Sequence, residues 1–204
     1  MEKRSFEKLE RRLLVGDLRS LRAEGQATRI GGHAAVFDTP ADLGYFIETV
    51  KRGAFTKTIA EDDVRALFNH DSNLVLGRNK AGTLRLSEDS KGLAFEVDLP
   101  DTQLARDLAV SIDRGDISQC SFGFMVRGEE VRRVDGVWNR DLTDVQLFDV
   151  SPVTYPAYDQ TDVSMRSLDE IAKQFRSGSE DPPVDPEAWK QDFDHRRRRL
   201  LLAH

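Results

Sequence analysis

In several segments between positions 25 and 165, apolar residues recur at every second position, and this period constrains the fold more than any other feature of the sequence. In the clearest segment, 93–99, leucine, phenylalanine and valine alternate with alanine, glutamate and aspartate. Such alternation predicts a strand with one face in the core and one in solvent. Further strands are predicted at 27–37, 64–70, 118–126 and 145–154, and Asp135-Gly136 predicts a tight hairpin turn. Many short strands and few helices favour a barrel-like or sandwich-like β domain with helices packed outside.

Three parts of the chain differ in composition. Residues 1–24 are charged and carry leucines at helical spacings, which predicts an arm with a short amphipathic helix. Residues 25–165 hold nearly all the aromatic and β-branched residues and form the predicted domain. Within it, 102–114 is the best helix, with Asp101 or Thr102 as its cap and Gly115 at its end. Residues 166–204 predict a helix, a Pro-rich linker and a charged tail.

The bulk composition excludes several classes of protein. The net charge is -6, so the chain has no global reason to bind nucleic acid or an anionic membrane. Its apolar runs are far shorter than the roughly 20 residues that span a bilayer. A single cysteine, Cys120, excludes an internal disulfide and fits a reducing cytoplasm. The four histidines lack the Cys/His spacing of a structural zinc site.

The segment 118–124 contains two potential nucleophiles, a serine and a cysteine. Side chains alternate along a strand, so Cys120 shares a face with Phe122, and Ser121 lies on the other face. A free thiol among buried aromatic residues is usually inert. Ser121 is expected to point outward, beside Gly123, which would leave room for a substrate backbone. On this pattern alone, such a serine is more often an ordinary surface residue.

A serine nucleophile needs a base that accepts its proton near neutral pH, and histidine is the usual choice. Two histidines lie in the predicted domain, His33 and His70. His70 ends a predicted strand and precedes a turn, a position from which a side chain can project into a cleft. His33 follows two glycines inside a predicted strand. On the pattern alone, a lone histidine is more often a structural residue than a catalytic one.

Several short motifs follow one another along residues 27–160 in a recognisable order. They are Ile30-Gly31-Gly32-His33-Ala34-Ala35-Val36-Phe37, Gly53-Ala54-Phe55, Asn69-His70-Asp71, Leu76-Gly77-Arg78, Ser121-Phe122-Gly123-Phe124 and Val150-Ser151-Pro152. In this order the sequence resembles the tailed-phage prohead serine protease family. The resemblance implies that Ser121 is the nucleophile and His70 the general base.

The same resemblance carries expectations about fold and biology. The family is related in fold to the herpesvirus assembly proteases, which implies a closed or nearly closed antiparallel β-barrel with helices around it. It implies a serine endopeptidase that cleaves scaffold, or the scaffold-like region of the major capsid protein, and itself. Cleavage would take place in the host cytoplasm, inside the assembling prohead. It would need no metal ion or cofactor, and the enzyme could be a homodimer. The alternative is a non-catalytic capsid assembly factor with the same fold.

The third member of the site is harder to assign. The herpesvirus relatives use a second histidine after the serine, and here no histidine lies between Ser121 and His195. The resemblance selects Asp149 as the acidic substitute, with Asp71 and Asp144 as alternatives. A tight turn at 135–136 would pair Asp149 with Phe122, on the wrong face, unless one bulge shifts the register. The segment 128–130 is a plausible place for that bulge. Arg78 is a conceivable helper for the oxyanion.

Overall fold

The computed structural model describes residues 9–15, 18–21, 28–43, 46–134 and 136–155. The strands are β1 (Glu10–Val15), β2 (Arg19–Leu21), β3 (Arg29–Val36), β4 (Ala41–Asp42), β5 (Phe46–Val50), β6 (Arg65–Phe68), β7 (Asp71–Arg78), β8 (Leu84–Glu88), β9 (Gly92–Asp98), β10 (Gln119–Val134) and β11 (Val137–Val153). The α-helices are α1 (Thr56–Glu61) and α2 (Gln103–Asp113), and a short 3-10 helix covers Asn79–Ala81. The strand-dominated α+β fold that the sequence predicts is therefore confirmed.

The strands form two sheets. The first has seven strands and contains the order β1-β10-β11-β5-β4, with β6 paired to β11 and β7 paired to β6. The second has the order β2-β3-β9-β8. The long hairpin β10–β11 is the centre of the first sheet, and Val134 pairs with Val137 across its tip, as the Asp-Gly signal predicts. Strands β5 and β6 run parallel to β11, at Trp138–Leu142 and Asp149–Val150 respectively.

Both sheets and helix α2 contribute to one hydrophobic core. Phe122 and Phe124 of β10 stack with ring centroids 5.0 Å apart, and Phe55 meets Phe122 edge-on at 5.7 Å. The alternation of 93–99 is reproduced in β9, where Leu93, Phe95 and Val97 are buried. The core therefore takes the phenylalanine face of β10 and leaves the opposite face for the polar site described below.

Helix α2 follows its predicted boundaries. The Thr102 side chain accepts a hydrogen bond from the Ala105 amide at 3.3 Å, which satisfies one of the free amides at the helix start. Leu108 and Ile112 are buried in the core. Gly115 has φ +82°, a left-handed conformation that a glycine adopts without strain and that ends the helix. None of the helices in the described part of the chain is long and apolar enough to cross a membrane.

Two expectations about architecture need correction. Within the described ranges neither sheet returns to its first strand, so a closed barrel is not supported. The strands at the two ends of the order β1-β10-β11-β5-β4 are β1, with six residues, and β4, with two. The predicted helix in the arm is also wrong where the arm is described: Glu10–Val15 and Arg19–Leu21 are strands, since pairing with β10 and β3 outweighs the leucine spacing.

The division of the chain at residues 24 and 165 stays a prediction. Strand β1 belongs to the predicted arm but pairs with β10 of the predicted domain. The helix, linker and tail predicted for 166–204 lie outside the described residues.

Candidate active site

His70 stands at the tip of the β6–β7 hairpin. Phe68 pairs with Asp71, so Asn69 and His70 are the two central residues of the turn. Both have positive φ, +54° and +58°, as a type I′ hairpin turn requires. Asparagine and histidine are among the non-glycine residues that enter this region more readily than most. The turn therefore presents the His70 imidazole at the end of a short, tight hairpin.

Ser121 and Asp149 lie on neighbouring strands of the long hairpin. Ser121 pairs with Ser151, and Gly123 pairs with Asp149. Partners in an antiparallel ladder point to the same face, and so do residues two apart on one strand. Ser121, Gly123, Asp149 and Ser151 consequently share the face opposite to Phe122.

A bulge at Phe148 brings Asp149 to this face. The turn register would pair Asp149 with Phe122, but a shift between Gly123 and Phe124 leaves Phe148 without a partner. Every residue beyond the bulge is moved by one position, which reverses the faces. Two further register shifts flank Gly128, near the predicted place. They cancel each other, because Val126 and Val145 pair in the same register as the residues beside the hairpin turn.

The three side chains form a chain of short hydrogen bonds. His70 Nε2 lies 2.7 Å from Ser121 Oγ, and His70 Nδ1 lies 2.5 Å from Asp149 Oδ2. With the proton on Nδ1, the imidazole donates to the carboxylate, and Nε2 is free to accept the serine proton. The arrangement is that of a nucleophile, a base and an orienting acid.

Ser151 adds a fourth group that the sequence analysis missed. Its Oγ donates to Asp149 Oδ2 at 2.6 Å, so this oxygen receives hydrogen bonds from both Ser151 and His70. Ser151 is completely buried. The position of Ser151 in the sequence could have indicated its role, because residues 149 and 151 on one strand point to the same face.

The site is enclosed rather than open. Ser121 is only 1% exposed and Asp149 6%, although the sequence analysis expected Ser121 to point into solvent. Strand β1 pairs with β10 along 119–124, on the side away from β11. The predicted space beside Gly123 holds the Asp149 carboxylate: a Cβ at position 123 would lie 2.5 Å from Asp149 Oδ1.

The other candidate residues have different surroundings. Cys120 is buried with the phenylalanine face, and burial raises the pKa of its thiol, which disfavours the reactive thiolate. His33 Nε2 contacts Asp89 Oδ2 at 2.8 Å. Arg78 binds Asp63 through two hydrogen bonds of 2.7 and 2.6 Å.

The two alternative acids make other contacts. Asp71 accepts a hydrogen bond from the Asn73 amide at 2.8 Å, within its own turn. Asp144 pairs with Gly128, along the hairpin from Gly123, the partner of Asp149. Of the three acids, Asp149 is the one hydrogen-bonded to His70. Among the described residues, no group of three or more His, Cys, Asp or Glu side chains is arranged to hold a metal ion.

Comparisons with known proteins agree with the resemblance seen in the sequence. A family model described as caudovirus prohead serine protease matches residues 17–174. No curated protein matches the chain. Among solved structures, the capsid assembly protease gp21 of bacteriophage T4 is similar, with a TM-score of 0.47 and 9% sequence identity. The match covers 74% of this chain and 100% of that one.

Proposed function

Because the chain belongs to the caudovirus prohead serine protease family, we propose that it is an active serine endopeptidase with Ser121 as its nucleophile. The observation that carries the proposal is the hydrogen-bonded chain from Ser121 through His70 to Asp149. Bonded in this order, the three side chains supply the nucleophile, the base and the orienting acid that acyl transfer requires.

In the proposed reaction, Ser121 Oγ attacks the scissile carbonyl carbon while His70 Nε2 takes the hydroxyl proton. The tetrahedral intermediate collapses when the imidazolium gives that proton to the leaving amine, so the C–N bond breaks and an acyl-enzyme remains. Water then attacks the acyl carbon while His70 takes its proton, the bond between that carbon and Ser121 Oγ breaks, and the imidazolium returns the proton to Oγ as the carboxylic acid leaves. The reaction needs no metal ion and no organic cofactor.

Asp149 is assigned the role of the orienting acid. Its carboxylate holds the Nδ1–H tautomer of His70 and stabilises the imidazolium that forms during the attack. The hydrogen bond from Ser151 fixes the carboxylate in turn, at 2.6 Å. Arg78 is hydrogen-bonded to Asp63. We therefore assign to backbone amides the hydrogen bonds that stabilise the oxyanion of the tetrahedral intermediate.

A polypeptide substrate has to bring its carbonyl within about 3 Å of Ser121 Oγ. With Ser121 at 1% exposure, the groups that cover it must move when a substrate binds. We assign as substrates the scaffold or the scaffold-like region of the major capsid protein, together with the enzyme itself. Cleavage would occur inside the assembling prohead in the host cytoplasm, by a catalytic unit at residues 25–165 that could work as a homodimer.

Co-expression with the capsid protein encoded beside this chain, followed by mass spectrometry of the new termini, tests the proposal. The wild-type protein should generate defined cleavage products, and Ser121→Ala should reduce the rate by about 10⁴-fold or more. Ser118→Ala, a change at an exposed serine three residues away, is the matched control and should cleave normally. Unchanged processing by Ser121→Ala would rule out the nucleophile. A complete absence of cleavage by wild type would favour the non-catalytic assembly factor.

A further inference from the structure

We propose that Asn69 is a positioning residue, which holds the His70 imidazole between Ser121 and Asp149 by fastening the hairpin tip to β11. The inference rests on the proposed function, because the position of the ring matters for catalysis only if His70 is the base. Asn69 contacts none of the reacting groups in the structure. Its effect would therefore be exerted entirely through its neighbour.

The β6–β7 hairpin has little regular pairing with the strand that carries Asp149. Strand β6 pairs with β11 at two positions, Asp149 with Arg65 and Val150 with Ala66. Beyond Ala66 the pairing of β6 with β7 is irregular, with register shifts on both sides of Leu67. The two residues between Ala66 and the turn, Leu67 and Phe68, pair with β7 but not with β11, so the tip needs its own attachment to β11.

Asn69 provides that attachment with three hydrogen bonds. Its backbone amide donates to the Pro152 carbonyl at 3.0 Å. Its side-chain Nδ2 donates to Thr154 Oγ1 at 3.1 Å, and its Oδ1 accepts from the Thr154 amide at 2.9 Å. The side-chain amide of Asn69 therefore both donates to Thr154 and accepts from it. Two such bonds fix the distance and the orientation of the hairpin tip relative to β11.

Asparagine suits this position for a second reason. Asn69 has φ +54°, a left-handed conformation that most side chains avoid and that asparagine, aspartate and glycine tolerate. Glycine would keep the turn but lose both side-chain hydrogen bonds. Aspartate would keep the turn and an oxygen for the Thr154 amide, and its second oxygen could accept from the Thr154 hydroxyl.

The imidazole is sensitive to such an attachment because both of its nitrogens are engaged. Contacts of 2.7 Å to Ser121 and 2.5 Å to Asp149 leave the ring little freedom. A displacement of about 1 Å is enough to cost about 10²-fold in rate. Asn69 itself is exposed, so water competes for its hydrogen bonds and their contribution to global stability is small. Removal of the attachment should therefore impair turnover far more than folding.

The experiment compares Asn69→Gly and Asn69→Asp with wild type, using a peptide that spans the cleavage site found by mass spectrometry. Asn69→Gly should lower kcat by about 10- to 100-fold and leave KM within about twofold. Asn69→Asp should recover most of the loss when kcat is measured on the plateau of its pH profile. Asn73→Ala, in the same hairpin, removes a side-chain amide that donates to Asp71, two residues away in β7, and should match wild type.

A spectroscopic readout separates this inference from the proposed function. The His70–Asp149 hydrogen bond should give a low-field proton resonance in wild type and Asn69→Asp that is lost or broadened in Asn69→Gly. If wild type cleaves nothing, the proposed function fails, and this resonance still tests the attachment. If wild type cleaves and Ser121→Ala does not, but Asn69→Gly keeps full kcat and the resonance, the attachment alone is refuted.

A purely structural role would show itself differently. Asn69→Gly would then lower the thermal midpoint by several degrees and would lower kcat only in proportion to the unfolded fraction, which would overturn the inference. Should Asn69→Gly fail to fold, Thr154→Val replaces it as the test. That variant keeps the Thr154 amide and loses only Oγ1, so we expect a smaller loss of kcat, of about three- to tenfold. Wild-type kcat in Thr154→Val would count against the attachment.

Discussion

The long β10–β11 hairpin is associated with buried polar groups on both of its faces, and the two groups are built differently. One face carries Ser121, Asp149 and Ser151, joined by His70. On the phenylalanine face, Glu10 and Arg12 of β1 pair with Phe124 and Phe122 and join three more charged residues. We call this second group the charge cluster; its members are Glu10, Arg12, Glu48, Glu129 and Arg140.

In the charge cluster every guanidinium is surrounded by carboxylates. Arg140 contacts Glu10 at 2.9 Å, Glu48 at 2.9 Å and Glu129 at 2.6 Å. Arg12 binds Glu48 at 2.5 and 2.8 Å and also reaches Glu10. Burial lowers the pKa of Arg140, but its carboxylate partners outweigh burial and the net pKa is raised. The pKa of Arg12 is raised as well, so both guanidiniums hold their protons more firmly than a free arginine does.

The opposite face shows what a site that transfers protons requires. Asp149 receives hydrogen bonds from an imidazole and a hydroxyl rather than from a guanidinium. Its negative charge is therefore less completely compensated and can stabilise an imidazolium when one forms. Two buried polar groups on one hairpin thus differ in function because they differ in how fully each charge is compensated.

The largest effect on stability is expected when the charge cluster loses its central cation. Arg140→Met should lower the free energy of unfolding by about 3–5 kcal/mol, because it leaves Arg12 as the one cation for the carboxylates of the cluster, two of which are buried. Urea unfolding measures the change. Arg114→Met is the control: Arg114 is exposed and pairs only with Asp116, so the loss should stay within about 1 kcal/mol.

The same variant tests whether the two faces are independent. Arg140→Met should retain its kcat at temperatures well below its unfolding midpoint, since Arg140 contacts none of the site residues. A loss of less than about 1 kcal/mol would show that water already compensates the cluster. A kcat that falls as far as in a Ser121 variant would show that the two faces are coupled.

A smaller effect, confined to activity, is expected from a methyl group beside Asp149. The Cβ of Gly123→Ala would lie 2.5 Å from Asp149 Oδ1, so the carboxylate must shift away from His70. We expect kcat to fall by about 10²-fold, equivalent to about 2.7 kcal/mol in the barrier. Gly128→Ala is the matched control on the same strand, where the new Cβ would meet Thr143 Oγ1 at 3.0 Å, away from the site. An unchanged kcat in Gly123→Ala would mean that the position of Asp149 is not critical.

These two faces also show how far the sequence could predict the molecule. Alternation predicted β9 and the phenylalanine face of β10, and the Asp-Gly signal predicted the hairpin, because both patterns are local. The side of the sheet on which Asp149 lies depends on a bulge at Phe148, which no local preference marks. The tight turn at 135–136 correctly predicted that Asp149 needs a register shift to reach the face of Ser121, but the shift lies at Phe148 and not near Gly128.

The charge cluster was missed for a related reason. Its members come from β1, β5, β10 and β11, and only the fold brings them together. Residues 10–12 are three consecutive charged residues and carry no period-two signal for a strand, and the leucine spacing suggested a helix. Ser151 and Asn69 were visible in the motifs, although their hydrogen bonds depend on the register of β11 and on the turn at 69–70.

The smallest expected effect is a change in the free energy of unfolding with pH, which comes from the charge cluster. Burial raises the pKa of Glu10, but the hydrogen bonds and charges of Arg140 and Arg12 outweigh burial, and the net pKa lies below the ordinary value of 4.5. A carboxyl group with a lowered pKa in the folded state stabilises the protein above its unfolded pKa. That contribution is lost as the pH falls from 4.5 through the folded pKa.

Glu10→Gln isolates this contribution, because glutamine has no proton to gain. Urea unfolding from about pH 6 to about pH 3 should show the variant less stable than wild type at the upper end. The difference should narrow as the pH falls, since wild type loses the ion pairs that the variant never had. A difference that stayed constant or widened would mean that Glu10 binds its proton at least as readily in the folded state as in the unfolded state. The charge cluster would then lack the compensation that distinguishes it from the site on the opposite face.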